Sequence, residues 1–172
     1  AAISFMVHLG LSQAGTVRVG QAFARGDWVA VKRTAAVTMG LSTLAAVIAI
    51  FFFLATPQML ISAFLDVEDL LAPDILRIGT LLLIVAAMFQ FVDAAQVVAL
   101  SLLRGLQDTK MPMLIAAVSY WLIGLPISYV LGFSMDYKET GIWLGLVFGL
   151  GVAAVLLWVR FSVLTRGTHG RA

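Results

Sequence analysis

The sequence predicts an all-α polytopic membrane protein with about five transmembrane helices, an external N-terminus and a cytoplasmic C-terminus. Hydrophobic residues make up 62% of the 172 residues and charged residues only 12%, about half the charged share of a soluble domain. The mean hydropathy of +1.04 agrees with this class. The third observation is the position of the basic residues, which cluster at alternate boundaries of the apolar segments and indicate the orientation.

Five apolar segments are long enough to cross a bilayer as helices. The first covers roughly residues 1–24 and is broken by Arg25-Gly26-Asp27, in which Asp27 is a suitable N-cap for the next helix. Residues 28–33 are predicted to form a short interfacial turn, with Trp28 at headgroup depth. The remaining spans are predicted at roughly residues 34–56, 74–103, 111–133 and 141–161.

The sequences of the last two spans predict a kink in one helix and a close-packing face on the other. Gly124-Leu125-Pro126 interrupts the fourth span, and a proline in mid-span permits a kink when neighbouring helices satisfy the freed carbonyl. The fifth span has small residues at every fourth position, including Gly141, Gly145 and Gly149. This spacing predicts a face that packs closely against another helix.

The charges predict the orientation of the spans. When the loops at residues 25–33 and 104–110 and the C-terminal tail are placed in the cytoplasm, nine of the eleven Lys and Arg residues lie on that side. Four acidic residues between positions 58 and 74 then lie outside. The positive-inside rule therefore places the N-terminus outside and the C-terminus inside. The external start, without an initiator Met or a signal peptide, is expected of a piece of a longer protein.

One carboxylate, Asp93, lies in the middle of the third span. As a helix, the 26 residues between Arg77 and Arg104 reach roughly 39 Å, which places Asp93 about 24 Å from Arg77 and about 16 Å from Arg104. A charge at that depth costs on the order of 2.5 to 3.5 kcal/mol. Because acids inside membranes face a bundle interior or a wet cavity and commonly mark an ion or proton path, Asp93 is the candidate functional residue.

Other polar residues share the face of this helix that carries Asp93. At 100° per residue, Gln90, Asp93, Ser101 and Arg104 fall within roughly an 80° sector, and Gln96 lies to one side. The alternative interpretation of the glutamines and the serine is a polar stripe that forms hydrogen bonds with neighbouring helices.

Several functional classes lack support in the sequence. It contains no GxGxxG, P-loop, HExxH or GxSxG motif, so the protein is expected not to be an enzyme. The basic residues lie at membrane boundaries and not on one exposed face, which argues against nucleic-acid binding. His8 has no second His or Cys at metal-ligand spacing and is predicted to be a packed or pore-facing histidine. The absence of cysteine excludes disulfide and thiolate chemistry within these residues.

Three segments of the chain resemble the multidrug and toxic compound extrusion (MATE) family, in its NorM-like branch. They are GLSQAGTVRVGQAFARGD (Gly10–Asp27), QFVDAAQVVALSLLRGLQDTKMP (Gln90–Pro112) and YWLIGLPISYVLG (Tyr120–Gly132). In order, they resemble the C-terminal half of the family, from most of the eighth helix through the twelfth. The resemblance implies that residues 1–172 are part of the C-terminal lobe of a twelve-helix, two-lobe transporter.

The resemblance also implies a function and a location. Family members export cationic or amphipathic drugs in exchange for H⁺ or Na⁺ by alternating access, and they use no cofactor. The expected partners are the lipid bilayer, small-molecule drugs, and the N-terminal lobe and seventh helix of the same protein, which this chain lacks. The expected location is the bacterial cytoplasmic (inner) membrane, as a multi-pass protein.

The resemblance assigns roles to individual residues. Asp93 matches the acid of the tenth helix in the cation site of the family, and it would contact a metal ion only if the transporter is coupled to Na⁺. Members coupled to Na⁺ commonly have a tyrosine four residues earlier, where this chain has Phe89, which offers no oxygen. Phe89, Gln90 and Gln96 are expected to line the cavity. His8 stands where proline is common in the eighth helix.

Two alternative functions remain open from the sequence. One is a non-transporting membrane subunit in which Asp93 pairs with a buried base of a partner protein. The other is a related flippase for lipid-linked sugars, which would require a more basic cavity than this chain offers. An upstream helix with an acid would favour the antiporter, whereas an upstream membrane arginine at matching depth would favour the subunit.

The predicted orientation can be tested with single cysteines in the complete protein, in a background without other cysteines. A membrane-impermeant thiol reagent applied outside intact cells should label Ser62→Cys, because the acidic segment is predicted to be external. Thr168→Cys should react only after the membrane is permeabilised. Labelling of Thr168→Cys in intact cells would overturn the orientation.

Overall fold

The computed structural model describes residues 2–56, 72–135 and 137–166, all of whose regular structure is helical. The acidic segment predicted at residues 58–74 lies outside this part of the chain up to residue 71, as does the C-terminal tail from residue 167. We number the helices in chain order: α1 is Ala2–Ala24, α2 is Trp28–Ala55, α3 is Ala72–Gly105, α4 is Lys110–Ser134 and α5 is Lys138–Arg166. The predicted all-α class is confirmed.

Four helical segments are long and apolar enough to cross a bilayer: Trp28–Ala55, Gly79–Gly105, Lys110–Ser134 and Thr140–Arg166. Helix α1 has 23 residues but is not among the four, because polar residues such as Gln13 and Arg18 lower its hydropathy. Its role as a fifth span, and the orientation of all the spans, stay predictions. Large apolar side chains point away from the bundle, where lipid would contact them. Val29, Trp121, Leu122 and Phe133 are each at least 70% exposed.

The break between α1 and α2 follows the predicted signals, except at the start of α2. Gly26 adopts a positive φ of 71°, and the Asp27 carboxylate accepts a hydrogen bond of 2.9 Å from the backbone N–H of Ala30. The predicted N-cap is therefore confirmed. The interfacial turn predicted at residues 28–33 is wrong, because α2 begins at Trp28 and continues without a break. With the cap in place and no Gly or Pro between positions 28 and 33, nothing stops the helix there.

Helix α3 is the centre of the bundle. It packs against α1, α2 and α5, and it is the most buried of the four apolar spans. A Cβ atom added at Gly105 would lie 2.8 Å from the carbonyl oxygen of Thr16 and 2.9 Å from Cβ of Val19, so glycine is needed for α1 and α3 to approach. The core at this contact contains Val19, Ala22, Val31, Ala35, Val98, Ala99, Leu102, Leu103, Leu157 and Phe161.

Helix α4 changes its hydrogen-bond register at the predicted interruption and does not break. It is α-helical over Lys110–Ala117 and Leu125–Tyr129, and π-helical over Val118–Gly124 and Val130–Ser134. The backbone N–H of Leu125 donates to the carbonyl of Tyr120, five residues earlier. A proline ring clashes with the carbonyl four residues before it in an α-helix. The wider π turn preceding Pro126 avoids that clash.

The small residues of α5 lie directly against the backbone of α4. A Cβ atom at Gly141 would lie 2.6 Å from the carbonyl of Leu131, and one at Gly149 would lie 2.8 Å from Cα of Gly124. A Cβ atom at Gly145 would overlap the backbone of Ser128. The Ser128 hydroxyl also donates a 3.0 Å hydrogen bond to the carbonyl of Ile142. Backbone contact and this hydrogen bond therefore hold α4 against α5.

An ion pair links the loop between α3 and α4 to α5. The Nε atom of Arg160 donates to Oδ2 of Asp108 at 2.9 Å. Both residues are predicted to lie at the cytoplasmic boundary. Because the pair is partly exposed, we expect it to contribute at most about 1 kcal/mol, less than the glycine contacts.

Gly145→Leu should destabilise the bundle or lower its amount in the membrane. The added side chain would collide with the Ser128 backbone, and overpacking of a core costs about 1 to 3 kcal/mol or more. Gly40→Leu is the matched control, since no atom lies within 4 Å of a Cβ added at Gly40. The measurement is membrane abundance together with unfolding of the purified protein in detergent. Equal tolerance of both variants would contradict the assigned packing face.

Candidate functional site

Asp93 lies on α3, half-buried, near the middle of the span Gly79–Gly105. It is 14 residues after Gly79 and 12 before Gly105, about 21 Å and 18 Å along the helix axis. No described residue forms a hydrogen bond or an ion pair with its carboxylate. The carboxylate is therefore at the predicted depth and is not neutralised within the described part of the chain.

Helix α4 brings a phenol to this point. Gln96 is buried one turn after Asp93, and its Nε2 atom donates a hydrogen bond to the Oη atom of Tyr120. Asp93, one turn before Gln96, is close enough to contribute to the electrostatic environment of the phenol. It lies on the π-helical segment Val118–Gly124. The Gln96–Tyr120 hydrogen bond joins α3 to α4, and with Asp93 one turn earlier on α3 these residues form one group.

Sequence reasoning missed Tyr120 as a member of this group. A signal was present, because Tyr120 is a hydroxyl-bearing residue well inside an apolar span and polar side chains at that depth find partners. Periodicity within α3 could not identify it, because Tyr120 belongs to another helix.

The other residues predicted near Asp93 have different surroundings. Gln90 is 4% exposed, and its Nε2 atom has no hydrogen-bond partner among the described residues. Phe89 is half-buried, and its ring meets that of Trp143 on α5 edge to face at 5.9 Å between centroids. The cavity-lining role of Phe89, Gln90 and Gln96 stays a prediction, since that cavity would be shared with the N-terminal lobe.

The polar sector predicted on α3 divides into two parts. Towards Gly105, the Ser101 hydroxyl donates to the carbonyl of Val98 at 2.8 Å, and the Ser101 carbonyl accepts from Thr16 Oγ1 of α1 at 2.9 Å. Arg104 is exposed. Among the described residues, the Ser101 side chain therefore bonds only its own helix, and its backbone carbonyl is the group that meets α1. The hydrogen bond to a neighbouring helix that the alternative interpretation predicts is made by Gln96.

His8 is packed between α1 and α2. It is fully buried, and a hydrogen bond of 2.8 Å joins its Nδ1 atom to Oγ of Ser42. Within the described ranges, no three His, Cys, Asp or Glu side chains cluster as a metal site. The prediction of a packed histidine fits this environment.

Unpaired buried polar atoms concentrate at the depth of Asp93. In the part of the chain that the structure describes, they are His8 Nε2, Gln90 Nε2 and Ser119 Oγ. Gln90 is one turn before Asp93, and Ser119 directly precedes Tyr120. Two contacts between α1 and α3, Thr16–Ser101 and Gly20–Gly105, each join residues 85 positions apart, so the two helices run parallel. His8 and Asp93 are also 85 positions apart, and they therefore lie at the same depth. The layer around Asp93 is therefore the polar layer of the bundle.

A groove of about 660 Å³ elsewhere on the bundle has a different character. It runs between α2, α3 and α5, and apolar side chains such as Phe91, Val155 and Trp158 line most of it. Asp93 does not contribute to its lining. We therefore place the candidate site at the Asp93 layer and not in this groove.

Comparison with known families and curated proteins gives matches along the chain. The MatE family model matches residues 1–130. The "Probable multidrug resistance protein NorM" of Agrobacterium fabrum (strain C58) is 40% identical over 166 residues, which is 96% of this chain and 36% of that protein. The protein of the same name from Mesorhizobium japonicum is 44% identical over 163 residues, 94% of this chain and 34% of its own length. The chain spans about a third of the length of the curated relatives it matches.

A solved structure shares the fold. The crystal structure of the eukaryotic MATE transporter AtDTX14 superposes with a TM-score of 0.82 over 98% of this chain and 38% of that transporter. The sequence identity is 17%, so this similarity bears on the fold alone.

Ser42→Ala should destabilise the α1–α2 contact, because it leaves Nδ1 of the buried His8 without a partner. Hydrogen bonds between membrane helices contribute about 0.6 kcal/mol on average and at most about 1.7 kcal/mol, so we expect a loss in that range. Thr43→Ala is the control at the neighbouring position. Unfolding of the purified protein in detergent measures both. If the two variants are equally stable, the His8–Ser42 bond does not hold the helices together.

Proposed function

Because the chain belongs to the MatE family, we propose that it is part of the C-terminal lobe of a secondary active antiporter that exports cationic or amphipathic drugs. The observation that carries this proposal is the half-buried Asp93 carboxylate in mid-span, which no described residue neutralises. The names of the relatives support drugs as the substrate class. The bacterial sources of those relatives favour the cytoplasmic (inner) membrane as the location.

The chemistry of Asp93 supports a role in ion exchange. A carboxylate at this depth is costly when it is charged and unpaired, on the order of 2.5 to 3.5 kcal/mol. Binding a proton, a Na⁺ ion or a cationic drug removes that cost, and one carboxylate accommodates one such positive charge at a time. Binding of the coupling ion therefore competes with binding of a cationic drug, which is the requirement for exchange.

Export also requires that occupancy of Asp93 changes the conformation of the protein. A ligand shifts an equilibrium between two conformations only by its differential affinity for them. In transporters built from repeated halves, sites near the bilayer midplane open alternately to each side as one half moves against the other. We propose that the described bundle is one moving body and that Asp93 is bound differently in the two orientations.

If the chain is instead part of a non-transporting subunit, Asp93 has a structural role. In that case the carboxylate would pair with a buried base of another helix. Removing one member of a buried pair strands the other and costs about 3 to 5 kcal/mol. Abundance would then fall before activity per molecule, and this difference separates the two functions.

Asp93→Asn in the complete protein should abolish ion-driven drug efflux and leave membrane abundance nearly unchanged. Asparagine keeps the shape of the side chain and its hydrogen bonding but cannot carry a changing charge. Asp93→Glu should retain some activity with a changed dependence on pH or Na⁺. Efflux per molecule and abundance are measured with a proton gradient and a Na⁺ gradient imposed separately.

The matched control is Asp27→Asn, the same chemical change at an exposed N-cap, where asparagine is an equally good cap. It should leave both efflux and abundance unchanged. Normal efflux per molecule in Asp93→Asn under either gradient would refute Asp93 as the coupling site. A fall in abundance with normal activity per molecule would favour the subunit.

A further inference from the structure

We propose that Tyr120 and Gln96 belong to the ion site and provide its second and third oxygen groups beside the Asp93 carboxylate. This inference rests on the proposed function, because it concerns the same ion. It adds a residue of α4 to a site that the sequence placed on α3 alone.

The geometry brings the three side chains together from two helices. Asp93 and Gln96 are three residues apart on α3 and therefore lie on adjacent turns. Gln96 donates to the Tyr120 phenol oxygen, and Asp93 is close enough to contribute to the electrostatic environment of the phenol. The phenol thus contacts Gln96 and lies in the same layer as Asp93. The aromatic residue one turn before Asp93, Phe89, packs against Trp143 and has no oxygen to offer.

The Gln96–Tyr120 hydrogen bond leaves the phenol O–H and the oxygens of both side chains available to interact with a cation or with Asp93. When the Gln96 amide N–H donates to the phenol oxygen, the phenol O–H is free to donate to another acceptor. Donation to the ionised Asp93 carboxylate requires a small rearrangement, because no hydrogen bond joins the two groups in this structure. The phenol oxygen keeps acceptor capacity, and the Gln96 carbonyl oxygen has no recorded partner among the described residues. Carboxylate, phenol and amide oxygens together suit a hard cation such as Na⁺.

Other titratable groups near this depth have different contacts. His8 on α1 is level with Asp93 but bonds to Ser42 of α2. Arg104 lies eleven residues further along α3 and is exposed. In the described part of α2 and α5, no ion pair reaches Asp93. No described titratable group forms a hydrogen bond or an ion pair with Asp93, and Tyr120 joins the Asp93 layer through Gln96.

The proposal predicts opposite effects of Tyr120→Phe for the two coupling ions. If the ion is Na⁺, the loss of an oxygen ligand weakens binding, and half-maximal efflux requires more Na⁺. If the ion is H⁺, the ionised carboxylate loses a donor, holds its proton more tightly, and half-maximal efflux moves to higher pH. The expected size is about tenfold in ion concentration, the change expected from losing one hydrogen bond to a charged group.

The experiment measures efflux per molecule in the complete protein against Na⁺ concentration and against pH. Tyr129→Phe is the matched control, because Tyr129 lies on the same helix but is 64% exposed and contacts Phe133. It should leave the ion dependence and the abundance unchanged. Unchanged ion dependence in Tyr120→Phe at normal abundance would overturn the proposal, as would an equal shift in Tyr129→Phe.

A second variant is used if the membrane abundance of Tyr120→Phe is too low for efflux to be measured. Gln96→Met keeps the side-chain length but removes both the amide that contacts the phenol and the carbonyl oxygen, so it should give a shift in the same direction. No shift at normal abundance would overturn the proposal. Failure of the proposed function is distinguishable, because then Asp93→Asn itself keeps ion-driven efflux. If Asp93→Asn loses efflux while Tyr120→Phe and Gln96→Met behave as wild type, the present inference alone fails.

Discussion

The close approach of helix backbones at glycine is the contact on which the rest of the structure depends. Lipid tails are as apolar as the helices, so association relies on tight packing and on interhelical hydrogen bonds. Gly145 and Gly149 of α5 admit the backbone of α4, and Gly105 of α3 admits α1. Because Gly149 meets Gly124, the last residue of the π-helical segment that carries Tyr120, this contact also determines where the phenol stands relative to α3.

The polar groups of the bundle differ in whether they find partners inside it. The Ser101 carbonyl accepts from Thr16, and the carbonyl of Ala95 accepts from Trp158 Nε1 at 3.1 Å. These groups are satisfied within the bundle, so their role is to hold helices together. Asp93 has the larger desolvation cost, since it is a charge, yet no described residue hydrogen-bonds to it. A costly group that no described residue neutralises is suited to a partner that binds and dissociates, as the proposed ion exchange requires.

The π-helical segment Val118–Gly124 of α4 links the backbone restriction at Pro126 to the position of Tyr120. Pro126 cannot donate a backbone hydrogen bond and excludes a regular α turn before it, and the chain responds with the wider turn of Val118–Gly124. Tyr120 lies within this turn, so its position depends on a proline six residues later. Hydrophobic pattern alone cannot reveal this coupling, because the proline acts through the hydrogen-bond register and not through its own side-chain contacts.

The sequence by itself determined the all-α class, the four apolar spans and the mid-span depth of the Asp93 carboxylate. Hydropathy, caps and breakers are local properties, and each acts within a few residues: Asp27 caps α2, and Asp93 lies in mid-span wherever the other helices stand. One local prediction, the interfacial turn starting at Trp28, is wrong, because α2 is continuous from that residue. Tertiary structure decided which groups meet. Gln96 and Tyr120 are 24 residues apart and Gly145 and Ser128 are 17 apart. Which faces of two helices meet depends on the packing of the whole bundle, which no single helix encodes.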